Sequence, residues 1–231
     1  MLFRSHYLNS DIFANEDNLA SAETELKKSI EIDDSYLPSY SAFASILIGQ
    51  NKTDEAIEQY QKVVAKKPDS SVYTLIGMLY DAKQSFDNSE TNYRKALELN
   101  PDNAIAINNL AWNSAANDKG NLDEALTLMQ SLTQKNPTTA GYYDTLGWIY
   151  FKKGLFSPAV ESLKKATAID AADAAKNGRN PNPAYRLRLG TALASAGDKS
   201  SAKKEVEFAL RGEKDLSKED AVTAKNLLSS L

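Results

Sequence analysis

The chain has 231 residues and a net charge of −4 from 27 basic and 31 acidic side chains, a balance that offers no electrostatic case for a nucleic-acid partner. It contains no cysteine, which excludes disulfides and thiolate metal sites and leaves reducing and oxidising compartments both open. No segment approaches the roughly 18 apolar residues of a membrane helix, so no direct membrane insertion is expected, and the opening residues lack the apolar run of a signal peptide.

One skeleton of large and small residues recurs at a spacing of about 34 residues, each time as two helices and a turn. The first copy, 3–36, is the weakest: His6, Asn9 and Ser10 stand where a large residue, a leucine and a glycine are expected. Tyr7, Leu8, Ile12 and Phe13 still give its first helix an apolar side, and Ala22, Leu26, Ser29 and Asp34 supply the second. The absence of a polar capping helix ahead of it is what a C-terminal piece of a longer array would show.

The second copy, 37–69, carries Tyr40, Phe43, Ala44, Leu47, Ala56, Tyr60 and Pro68. The third, 70–103, carries Tyr73, Ile76, Gly77, Tyr80, Ser89, Tyr93, Ala96 and Pro101. In the fourth, 104–139, Ile107, Leu110, Ala111, Ala125, Met129 and Pro137 keep the pattern, with a slightly longer turn from Ala116 to Asn121. The fifth, 140–172, reads Tyr143, Leu146, Gly147, Tyr150, Ala159, Leu163 and Ala166. An insertion at 173–182 follows, in which Asn177-Gly178 and Pro181 are turn and breaker signals; a tolerated surface insertion is expected there, with a partner-touching loop as the alternative. The sixth copy, 183–211, reads Arg186, Leu189, Gly190, Leu193, Gly197, Ala202, Val206 and Ala209. Residues 217–231 read as a solvating C-terminal helix, with Ser217 as N-cap, Asp220 three residues on, and Val222, Leu227, Leu228 and Leu231 on its buried side.

The small eighth residue of each copy (Ala44, Gly77, Ala111, Gly147, Gly190) belongs where the first helix comes closest to the second. Ala56, Ala125, Ala159 and Ala202 play the matching part on the second helix. Pro68, Pro101 and Pro137 lack a backbone donor and disfavour helix in the residue before them, so they close three of the units.

These positions resemble the tetratricopeptide repeat, and the resemblance covers roughly residues 3 to 211. It implies an all-α, right-handed α-solenoid of about six helix-turn-helix units with a C-terminal capping helix, forming one array over 1–231. The strings Asn-Asn-Leu-Ala-Trp at 108–112 and Tyr-Asp-Thr-Leu-Gly-Trp-Ile-Tyr-Phe-Lys-Lys-Gly at 143–154 are similar to bacterial arrays, including envelope-associated ones linked to exopolysaccharide export or protein sorting. That likeness implies a bacterial cytoplasm or periplasm.

Chemistry has little to work with. The single histidine, His6, sits in the weakest copy, and neither a phosphate-binding glycine loop nor a metal-binding motif occurs. No enzyme, cofactor or metal site is expected.

In the resembled family the first helices line a concave groove, which selects Ser41, Ser45 and Ile48; Thr74, Met78 and Asp81; Asn108, Trp112 and Ala115; Asp144, Trp148, Phe151 and Lys152; and Thr191 and Ser195. Trp112 and Trp148 are the only tryptophans and share the ninth position of adjacent copies; with Phe151 and Met78 they are expected to form an aromatic strip flanked by Asn108 and Asp144. Family members that clamp chaperone tails place lysine at the fifth position, where this chain has Ser41, Thr74, Asn108 and Asp144, so that clamp is missing. The expected function is a non-enzymatic scaffold that binds a peptide or helix of a partner protein in this groove. The alternatives are self-assembly into a homo-oligomer through the poorly capped first repeat, or a targeting or regulatory segment of a longer envelope or exopolysaccharide-system protein.

Overall fold

A computed structural model describes residues 2–15, 18–117 and 120–231. They form thirteen α-helices and no strand: α1 Leu2–Asn15, α2 Leu19–Ile32, α3 Leu37–Gly49, α4 Thr53–Lys66, α5 Ser70–Ala82, α6 Phe86–Leu99, α7 Ala104–Ala116, α8 Leu122–Lys135, α9 Ala140–Lys152, α10 Phe156–Asn177, α11 Pro183–Ser195, α12 Lys199–Arg211 and α13 Lys218–Ser230. The fold is all-α and of the α-solenoid class. The chain divides into two compact units between Ala106 and Ile107, within α7.

Three of the helix ends follow directly from proline. Lys67, Asn100 and Asn136 close α4, α6 and α8 with φ of −144°, −144° and −130°, the extended backbone that a following proline demands.

In the first unit α1 packs on α2, α3 on α4 and α5 on α6, and α2 meets α3 as α4 meets α5. A core of Leu26, Phe43, Leu47, Ile57, Tyr60 and Ile76 runs through these pairs. At the eighth position a Cβ on Gly77 would lie 2.5 Å from the Tyr93 ring, so glycine is what lets that ring sit fully buried between α5 and α6.

The first repeat corrects the expected apolar side. Leu8 and Ile12 are exposed at 59% and 55%, whereas Phe3, Tyr7 and Ser10 face inward. Positions 3, 7 and 10 share one helical face and 8 and 12 lie on another. Phe3 and Tyr7 pack against the Tyr36 ring at 4.9 and 5.5 Å, and Ser29 donates from its hydroxyl to the Phe3 carbonyl at 2.8 Å. His6 meets the Glu25 carboxylate at 2.7 Å, and Lys28 adds a second contact at 2.9 Å. Hydrogen bonds from His6 and then Lys28 hold the Glu25 carboxyl down at about 2.

In the second unit α8 packs on α9, α9 on α10, α10 on α11 and α11 on α12. A Cβ on Gly147 would lie 2.6 Å from Leu163, and one on Gly190 2.6 Å from Val206, repeating the close approach seen at Gly77. The turn after α7 contains Asp118 and Lys119, which lie outside the described residues.

Half of the insertion is helix. α10 runs on through Ala171, Ala172, Ala174 and Ala175 to Asn177, because alanine favours helix and nothing before Gly178 stops it. Gly178 ends it at φ 65°, where a side chain would be strained. The short return to α11 is fastened to α10 by buried Asp170, which accepts from the Asn182 backbone N–H at 2.6 Å and from Arg179 at 2.7 Å.

The C-terminal helix α13 packs on α12 and α11, and Ser217 caps it by accepting from the Asp220 N–H at 3.0 Å. Val222, expected on the buried side, is 58% exposed; Ala224 is buried instead, with Leu227, Leu228 and Leu231 packed beside it. The period 224, 227, 228, 231 is the helical face, and 222 falls opposite.

Candidate partner-binding groove

Six of the selected residues lie in the first unit: Ser41, Ser45, Ile48, Thr74, Met78 and Asp81. Met78 on α5 is 44% exposed, and Asp81 accepts from the Tyr93 hydroxyl at 2.5 Å, which ties that carboxylate to α6. Thr74, selected with them, is buried at 4% and accepts from the Asn103 amide at 2.9 Å, so it holds α5 to the start of α7 rather than facing a groove.

The second unit brings the rest together on three first helices. Asn108 and Trp112 lie one turn apart on α7, and Asp144, Trp148 and Lys152 follow one another at single-turn intervals on α9. Ala115 on α7 is buried at 3% and belongs to the core. Phe151 stands three residues after Trp148, and their rings stack at 4.7 Å with an angle of 12°. Phe156 extends the stack at 5.8 Å from Phe151. Trp148 and Phe151 are half-buried, Phe151 packs against the core that includes Leu189 and Leu193, and Lys152 is exposed.

Asp144 is the opposite of an exposed rim residue. It is 4% exposed, and the Arg188 Nε–H reaches both its oxygens, at 2.8 and 3.0 Å. Burial pushes the Asp144 carboxyl up, and Arg188 pulls against that shift. The Arg188 guanidinium in turn lies 5.0 Å from the Trp112 ring and 5.9 Å from the Tyr185 ring, cation–π contacts worth about 0.5–2 kcal/mol each depending on desolvation. Tyr185 is itself raised, first by burial and then by Asp144.

The wall therefore differs from a continuous aromatic strip. Trp148 and Phe151 form the stack, and Trp112 is joined through Arg188 rather than by ring contact. The Oδ1 of Asn108 is buried without a donor, and its Nδ2 makes a long bond of 3.3 Å to Asn109.

Arg188 and Tyr185 were not among the residues selected from the sequence. A signal existed: an aspartate on a first helix that becomes buried needs a cation, and α11 supplies only Arg186 and Arg188. Arg186 is committed to Glu205 at 2.8 Å. The register that delivers Arg188 is set by the Asn182 cap and Pro183 at the start of α11, and by the burial of Leu187 and Leu189 on either side.

Among the described residues no helix is long and apolar enough to cross a membrane, and no three acidic or histidine side chains gather to hold a metal.

Models of the tetratricopeptide repeat match residues 43–70, 70–103 and 140–173. Among curated proteins, the STIP1 homolog of Dictyostelium discoideum is 29% identical over 147 residues, covering 60% of this chain and 24% of that protein. A TPR repeat-containing protein of Pseudomonas aeruginosa is 26% identical over 129 residues, covering 55% of this chain and 22% of its own length. The chain thus aligns with about a quarter of the length of the curated relatives it matches. Among solved structures, PilF of Pseudomonas aeruginosa superposes with a TM-score of 0.71 at 15% identity, over 100% of this chain and 98% of that one. YrrB, a TPR protein with an unusual peptide-binding site, gives 0.61 at 21% identity, over 74% of this chain and 90% of its own. With paired helices, small residues at their contacts and three matched repeats, the chain carries tetratricopeptide repeats within an all-α array of the kind that serves as a protein–protein interaction scaffold.

Proposed function

We propose that the chain binds a peptide segment of a partner protein along the face formed by Trp112, Trp148, Phe151 and Arg188. The observation that carries this is the half-buried Trp148–Phe151 stack, with Trp148 one turn along α9 from the buried Asp144 that fixes the Arg188 guanidinium. Large aromatic area held rigid before binding costs little to order, which is why tryptophan concentrates in binding hot spots. The peptide-binding site of YrrB, on the same fold, supports a peptide as the occupant. The work such a face does is recognition, without a chemical step.

Selection of displayed random peptides on the full chain tests this. Peptides retained by the native protein are expected to be lost from a Trp148→Ala variant whose helicity by circular dichroism is unchanged. Retention of the same peptides by both proteins would place binding elsewhere.

A second reading, self-association, is favoured by the exposed Leu2, Leu8 and Ile12 of α1, at 66%, 59% and 55%. Sedimentation of the native chain against a Leu8→Glu, Ile12→Glu variant reads it directly: concentration-dependent dimers in the native protein alone support it, and a native monomer at high concentration rejects it.

A further inference from the structure

We infer that the segment bound on this face carries an internal aspartate or glutamate whose carboxylate docks on the terminal nitrogens of Arg188; the inference rests on the peptide-binding reading above.

Arg188 spends only its Nε on Asp144. Among the described residues no acceptor is bonded to its two terminal nitrogens, although its side chain is only 17% exposed. Those nitrogens form a planar fork whose geometry matches a carboxylate. Asp144, buried at 4%, takes only the Nε edge of the guanidinium, which leaves the two terminal nitrogens for a ligand. Trp112 and Tyr185 hold the guanidinium from their rings, which fixes the fork before any ligand arrives and lowers the ordering cost. Lys152, exposed and in no ion pair among the described residues, adds a second positive charge to the face that carries Trp148.

The sequence supports the sign. Residues 107–231 hold 17 basic and 14 acidic side chains, whereas residues 1–106 hold 10 and 17. An acidic ligand suits the second unit and is repelled by the first.

An internal side chain fits better than a chain terminus. The fork is anchored on Asp144, one turn before Trp148 on α9, so a main chain crossing Trp148 and Phe151 can drop one carboxylate onto Arg188 and continue. The fifth-position lysine with which resembled proteins grip a chain terminus is missing, Ser41, Thr74, Asn108 and Asp144 standing there.

The test uses capped peptides recovered by the display selection, bound to the full native chain. The selected set is expected to share an acidic residue at a fixed distance from an apolar or aromatic one. Replacing that acid by its amide (Glu→Gln or Asp→Asn) in the peptide should weaken binding by about tenfold, and added salt should narrow the difference. Arg188→Gln alone leaves Asp144 buried without a counter-charge, so the protein-side variant is the pair Asp144→Asn with Arg188→Gln; it should bind acid and amide peptides alike. An acid-to-amide change of less than twofold on the native chain, or selected peptides that depend on Trp148 but share no acid, would overturn the carboxylate while leaving the groove standing. Selected peptides indifferent to Trp148→Ala would overturn both. A preference for free over amidated C-termini would replace the internal acid by a terminal carboxylate and so contradict the inference.

Discussion

At Gly147 the whole logic of the repeat is visible in one missing atom. A Cβ there would stand 2.6 Å from Leu163 Cγ and 3.2 Å from the Ala159 carbonyl, and the carbonyl, being helical backbone, has nowhere to go. Gly147→Ala is expected to destabilise the second unit by about 1–3 kcal/mol, read by urea unfolding, through the forced separation of α9 from α10. Ala44 and Ala111 already carry that atom at the equivalent position, which shows that the spacing is set pair by pair. These small residues were readable in the sequence because close helix approach permits almost nothing else. Arg188 was not, because its role depends on Asp144 being buried, a fact of tertiary packing. Val222 was misassigned for a different reason: an apolar residue near a helix start suggests a core face that only the phase of the later residues decides.

The elements add two electrostatic and capping devices. The α1–α2 pair is joined by Glu25, whose carboxyl is held at about 2, against an ordinary value of 4.5, by His6 and Lys28. A carboxyl depressed in the folded state stabilises it above its unfolded pKa, and that contribution disappears as pH falls from about 4.5 toward 2. The first helices should therefore fray over that window. Glu25→Gln should remove that part of the pH slope, measured by circular dichroism as a function of pH; an unchanged slope would show that Glu25 is not its source. At the other end, Ser217→Ala removes the one side-chain cap of α13 and should cost about 1 kcal/mol of that helix's stability, seen as faster hydrogen exchange at residues 221–230 with α9 unaffected. The extended α10 belongs to this scale as well. Asn-Gly and two prolines announce a break correctly, but the alanines before them carry the helix up to Asn177, so the break is shorter than the inserted residues suggest.

Across the whole molecule, helix identity and repeat phase came from a period of large and small residues, a signal that each copy reinforces. The proposed binding face is harder to read, since residues on first helices divide between solvent, core and cross-repeat contacts. Thr74 and Ala115 went to the core, Asp144 to a buried ion pair, and Trp148 with Phe151 to a half-buried stack. The two halves of the sequence also differ in charge, acidic before Ala106 and mildly basic after it, which directs an acidic ligand to the second unit. Because the chain has only two tryptophans, their indole N–H groups give just two signals in a nitrogen-15 correlation spectrum, both from this face. Titrating a display-selected peptide into the labelled full chain is the most direct test of groove binding. Saturable shifts of both indole signals with a common dissociation constant are the predicted result, and a bound peptide that leaves both signals unmoved would contradict it.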